Sequence, residues 1–126
     1  MQTRTLFRPV GLVELKLIKD TGYTSFPPRL PDQPIFYPVL NFEYAEQIAT
    51  RWNSTDEKAG YMGAVTRFEL PADYLAQFPE RTIGGAIHKE LWVPAEELDN
   101  FNQQIIGKIE VVAAYYDERF VGEKEW

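Results

Sequence analysis

The sequence contains no cysteine. That excludes disulfides, thiol nucleophiles and thiolate-ligated metal centres. It contains one histidine, His88, so a histidine-rich metal site is excluded as well and no metal ligand set is expected. Serine occurs twice, as Ser25 and Ser54, and neither lies in a G-x-S-x-G turn, which leaves no seat for a serine hydrolase. Neither G-x-G-x-x-G nor G-x-x-x-x-G-K-[ST] is present, so no glycine-rich phosphate turn follows the first strand. No apolar run approaches the roughly 20 residues that a membrane-spanning helix needs. Met1 to Val10 carries two arginines and no apolar stretch, so no secretory signal is expected and the default address is the cytoplasm. Basic residues are in deficit, 13 against 19 acidic ones, for a net charge of -6. They are also scattered. A surface that grips nucleic acid or anionic lipid needs clustered Lys and Arg, and long-range steering here repels both.

What is present is enough for one core. The 126 residues lie near the commonest size of a single domain. We expect an α+β domain over residues 1–116, followed by a charged tail, 117–126, that is partly loose. Thr3 to Val10 reads as a strand and Gly11 to Asp20 as a helix, with Leu12, Leu15 and either Ile18 or Lys19 on one side at helical spacing. Thr24 to Pro34 holds four prolines with Phe26 and Arg29 between them. It reads as an ordered, irregular loop, because proline removes donors while Phe26 asks to be packed. Ile35 to Leu40 predicts a strand interrupted at Pro38. Asn41 is a helix cap for the segment to Asn53, with Tyr44 or Ala45, Ile48, Ala49 and Trp52 on its buried face. Tyr61 to Leu70, Ile87 to Val93 and Ile109 to Tyr116 predict three further strands. Pro71 and Pro94 each open a short helix. Alternation of this kind usually suggests a parallel sheet, but the short proline-started helices and the missing phosphate turn argue against a nucleotide-binding doubly wound fold.

On the predicted strand Ile87 to Val93, residues two apart share a face. His88, Glu90 and Trp92 therefore form one row, against Ile87, Leu91 and Val93 on the other. A His-Glu-Trp row reads either as a ligand-lining face or as a solvated strand face. Three stretches extend this observation: TLFRPVG with Arg8, IFYPVLNFEYAEQIA with Tyr37, and HKELWVPAEEL with Glu90. In that order they resemble the signature elements of the ADP-ribosyltransferase superfold over roughly Leu6 to Val112, and the motifs RPVGL, FPPRLP, FYPVLN and ELWVPAEEL are similar to those of a small bacterial family linked to ADP-ribosylation. The chain differs from many members in Pro9 after Arg8 and Pro38 after Tyr37.

The resemblance implies a split, mainly antiparallel β-sheet with short flanking helices. It implies an NAD-dependent mono-ADP-ribosyltransferase acting on NAD and an unknown acceptor, which includes proteins. Glu90 would be the catalytic carboxylate, Arg8 would hold a phosphate or ribose edge, Tyr37 would stack on nicotinamide, and His88 would contact the ribose or adenosine side. Read without it, Arg8 belongs to a surface salt bridge and Tyr37 to the core. Two other functions remain: a catalytically inactive protein-binding, immunity- or antitoxin-like domain on the same scaffold, and an RNA 2'-phosphotransferase, which the missing basic patch argues against.

Overall fold

The computed structural model describes residues 1–126. Strand β1, Thr3–Gly11, alternates as its sequence requires, with Leu6, Arg8 and Val10 on the buried side. Helix α1, Leu12–Asp20, follows directly and buries Leu15 and Ile18, one helical turn apart. Strand β3, Met62–Pro71, lies between β1 and β7, Ile106–Tyr116, and is antiparallel to both. Ala64, Thr66, Phe68 and Leu70 of β3 lie on the face that carries Leu6 and Val10, because Leu6 pairs with Phe68 and Val10 with Ala64. Helices α1 and α4, Leu98–Gln104, close over that face.

Aromatic rings fill the space between. Phe26 lies 4.8 Å from Phe68 and 5.2 Å from Phe36 by ring centroid, and Phe36 lies 5.4 Å from Phe101. Each fully buried ring of this size contributes about 1.5–3 kcal/mol by leaving water. Phe26 thereby ties down the proline-rich loop. The Asn102 side chain completes the tie: its Nδ2 donates to the Phe26 carbonyl and its Oδ1 accepts the Phe26 N–H.

The opposite face of the sheet carries one helical segment. Asn41 caps α2, Phe42–Ile48, by accepting the Tyr44 N–H at 2.8 Å. The segment continues as a π-helical turn over Ala49–Asn53. Val39, Ala45, Ala49 and Val65 form a small second core there.

The remaining strands are short: β2, Ile35–Phe36, pairs with β6, Val93–Pro94, and β4, Glu80–Thr82, pairs with β5, Lys89–Leu91. Several boundaries differ from the sequence reading for identifiable reasons. The predicted strand Ile35 to Leu40 is cut at Tyr37 and Pro38, leaving Val39 as an isolated bridge. The predicted strand Ile87 to Val93 breaks at Trp92: its N–H continues the β4–β5 register to the Pro79 carbonyl, but Pro79 has no N–H to return. Helix α3 spans only Ala72–Leu75, and Pro94 caps a 3-10 turn, Ala95–Glu97, ahead of α4. Strand β7 begins three residues early, at Ile106, next to a Gly107 with φ of +72°. The tail is docked: Tyr116 donates to the Trp126 carbonyl, and the Trp126 indole N–H donates to the Tyr23 hydroxyl.

The fold is thus α+β with antiparallel sheets. No helix is long and apolar enough to cross a membrane. The tightest backbone approach lies between β3 and the π turn, where a Cβ on Gly63 would stand 2.2 Å from the Ala49 carbonyl oxygen. Gly63→Ala is expected to destabilise the domain by about 1–3 kcal/mol, read as a lower midpoint in urea at unchanged slope.

Candidate functional site

The site arises where the sheet opens. Phe7 of β1 exchanges both backbone hydrogen bonds with Val39, at 2.9 and 2.8 Å. In an antiparallel ladder the next residue turned to that side is two positions on. That residue is Pro9, which has no N–H to give. The ladder stops there. On its other side, Val39 is flanked by bonds from Leu91 N–H to the Pro38 carbonyl and from Leu40 N–H to the Lys89 carbonyl, which hold β5 in place. Beyond the bridge, β1 and the segment around Tyr37 separate, and a hollow of about 340 Å³ lies between them.

Arg8, Tyr37, Glu90 and Trp92 line this hollow, together with Pro9, Val39, Ile48 and Ile83. Three side chains widely separated in sequence, at positions 8, 37 and 90, therefore share one concavity. Glu90 is held from two directions. Its Oε1 accepts the Trp92 indole N–H at 3.0 Å and its Oε2 accepts the Tyr44 hydroxyl at 3.2 Å. Tyr37 meets Trp92 edge to face at 5.7 Å, and the Arg81 guanidinium lies over the Trp92 ring at 5.2 Å. The result is an oriented carboxylate beside two aromatic walls, an arrangement suited to a ligand with a flat ring and a hydroxyl-bearing neighbour.

Arg8 belongs to a buried ion pair and not to a surface one. Its Nε and Nη2 both donate to the Glu14 carboxylate, at 2.7 and 3.0 Å, and the guanidinium lies 4.6 Å over the Phe36 ring. Only 9% of the residue is exposed. The hollow is therefore offered what remains of the guanidinium edge. A bidentate pair of this geometry binds the start of α1 to β1.

His88 does not line the hollow. Its Nδ1 accepts the Gly85 N–H, so Nε2 carries the proton and donates to the Gln47 side chain at 2.8 Å. Its ring packs on Tyr44 at 4.7 Å. It supports the Tyr44 ring that in turn holds Glu90.

Tyr44 and Glu14 are participants that sequence reasoning missed. Tyr44 stands three residues past the Asn41 cap, and its line to Glu90 crosses 46 positions that no local spacing reveals. Glu14 lies six residues from Arg8 across a strand-to-helix corner, which is neither a helical nor a strand interval. Trp92 did carry a signal, since it stands two residues after Glu90.

Two measurements check this geometry. Arg8→Ala leaves the Glu14 carboxylate unpaired in a mostly buried place, and is expected to cost about 3 kcal/mol of stability by chemical denaturation. Burial pushes the Tyr44 hydroxyl above the ordinary tyrosine range, and the Glu90 charge and its hydrogen bond push it further. Burial and then Glu46 likewise raise Tyr115, to about 12. The neutral phenol is the form the fold favours. Stability from these bonds is therefore complete below pH 10 and is lost as pH rises through the folded values. Alkaline absorbance titration is expected to show a delayed group of tyrosines, and Tyr44→Phe to remove one of them.

No family model matches the chain, and neither a curated protein nor a solved structure matches it, so the reading of the hollow rests on its own geometry.

Proposed function

We propose that the domain is a mono-ADP-ribosyltransferase-like enzyme that takes NAD as co-substrate and passes ADP-ribose to an acceptor. One observation carries this reading: Arg8, Tyr37 and Glu90 line a single hollow, with the Glu90 carboxylate held in place by Tyr44 and Trp92. The hollow is at the small end of ligand sites, which run from about 300 Å³ upward. It suits the nicotinamide-ribose half of NAD better than the whole.

The chemistry follows from the residues. Breaking the bond between the ribose C1' and the pyridinium nitrogen sends the electron pair to nitrogen and releases neutral nicotinamide. Positive charge develops on the ribose. A fixed carboxylate close by stabilises that charge without reorganising, because its two hydrogen bonds already set its direction. The acceptor then bonds to C1' and gives up its proton. Tyr37 and Trp92 supply the flat apolar walls for the departing ring. The free edge of Arg8 addresses a ribose oxygen or phosphate.

Glu90→Gln is expected to lower nicotinamide release from NAD by at least about 100-fold, with the thermal midpoint nearly unchanged, as measured by chromatography of the products. A rate equal to that of the parent protein would remove Glu90 from the mechanism. A second reading has its own support. Glu90 and Arg8 are each satisfied by protein partners, as in a domain that keeps the scaffold without turnover and binds another protein. Calorimetric titration with NAD separates the two: saturable binding supports the enzyme, and no heat up to millimolar NAD supports the silent binder.

A further inference from the structure

A second hollow, on the far side of the Arg8–Glu14 pair, contains a cation without a partner. Its volume is about 380 Å³, and Glu14, Arg29, Asp56 and Lys58 contribute its charged lining. Arg29 projects from the proline-rich loop. Its Nε is buried and has no hydrogen-bond partner, and the residue enters none of the ion pairs. Glu14 does not compensate it, because both carboxylate oxygens already receive Arg8. Burial lowers the Arg29 pKa, the Arg8 charge lowers it further, and the Glu14 charge raises it. Even so a guanidinium keeps its proton in a protein. With Arg8 set against Glu14 and Lys58 against Asp56, one positive charge is left over, on Arg29. A buried donor without an acceptor is costly, and an incoming anion removes that cost.

The rest of the lining says what kind of anion. Lys58 forms no ion pair, and the Asp56 carboxylate accepts only the Lys58 backbone N–H. Arg29 and Lys58 offer one hollow two sets of cationic donors, partly offset by Asp56, and the three acceptor oxygens of a phosphate monoester take both. Beside them stand three exposed apolar side chains, Val13, Leu17 and Leu30, on the same lining. They offer an apolar shelf that a bare inorganic ion cannot use. The chain's net charge of -6 opposes an anionic surface such as a lipid vesicle, but a small ligand is held by contacts within the hollow.

We propose that this second hollow binds a soluble organic phosphate, with Arg29 and Lys58 on the phosphate and Val13, Leu17 and Leu30 against its apolar body. The site is separate from Glu90 and requires no turnover there. A guanidinium presents a planar fork of donors to phosphate oxygens.

Calorimetric titration of the full chain with AMP, adenosine and inorganic phosphate tests the proposal. AMP is expected to bind saturably, and adenosine and phosphate each at least about tenfold more weakly, since each lacks one half of the contacts. Arg29→Gln is expected to weaken AMP by about tenfold or more, and Lys58→Gln by a smaller factor. No saturation with AMP at several millimolar would overturn the proposal, as would equal affinity in the Arg29→Gln protein. If circular dichroism shows that Arg29→Gln does not fold, Lys58→Gln carries the test, because Lys58 is exposed, and unchanged AMP affinity there overturns it. The titration needs no NAD cleavage, so its failure leaves the Glu90 reading standing, and a failure of cleavage leaves this site standing.

Discussion

Val39 joins the two parts of the sheet through its backbone. Its N–H and C=O pair with Phe7 of β1, while the bonds on either side of it pair with β5. Without this one-residue bridge, nothing in the strand network would place Glu90 beside β1. Pro9 then prevents the bridge from growing into a full ladder. The hollow exists because the pairing is strong enough to bring two strands together and too short to close the space between them. A residue able to donate at position 9 would permit another pair of bonds and a narrower gap.

The same economy governs charge. The domain is acidic overall, yet the guanidinium groups of Arg8 and Arg29 gather near one carboxylate, Glu14. Glu14 takes two of the Arg8 donors and leaves the Arg29 Nε without a partner. On the other side of the sheet opening, Glu90 is bound by neutral donors, a phenol and an indole, and by no cation. A carboxylate held by neutral donors keeps its full negative charge for whatever enters. One carboxylate is thus neutralised to build structure and the other is oriented and left charged.

Much of the frame was legible in the sequence because its signals are local. Alternation marked β1 and β3, the polar cap at Asn41 marked α2, and Phe26 marked an ordered loop among the prolines. Positions 8, 37 and 90 were legible as candidates, through the resemblance and through the strand period at His88, Glu90 and Trp92. The failures have physical causes. Trp52, expected on the buried face of its helix, is 60% exposed, because the π-helical turn over Ala49–Asn53 alters the rotation per residue and swings it outward. The Ile87 to Val93 run alternates as a strand should, but Trp92 donates to the carbonyl of Pro79, which has no N–H to return, and the ladder ends there. Local alternation carries no record of such a distant acceptor. The charged tail read as loose, yet Phe120 and Trp126 supply the apolar surface that docks it. The partners of Arg8, Glu90 and His88 were out of reach for a related reason: each is set by tertiary pairing between elements far apart in the chain.

The rims of the extended sheet have a consequence for how copies of this chain meet. One outer strand, β4, is three exposed residues long, and two of them, Glu80 and Arg81, are charged. The other, β7, starts with a left-handed kink at Gly107 and sets Lys108 and Glu110 outward along its first half. Short length, charge and a kink are the features by which natural sheets avoid templating one another. Concentrated solutions of this protein are thereby protected from cross-molecular strand addition, and crowding is resisted by the margins of the sheet, not by its core.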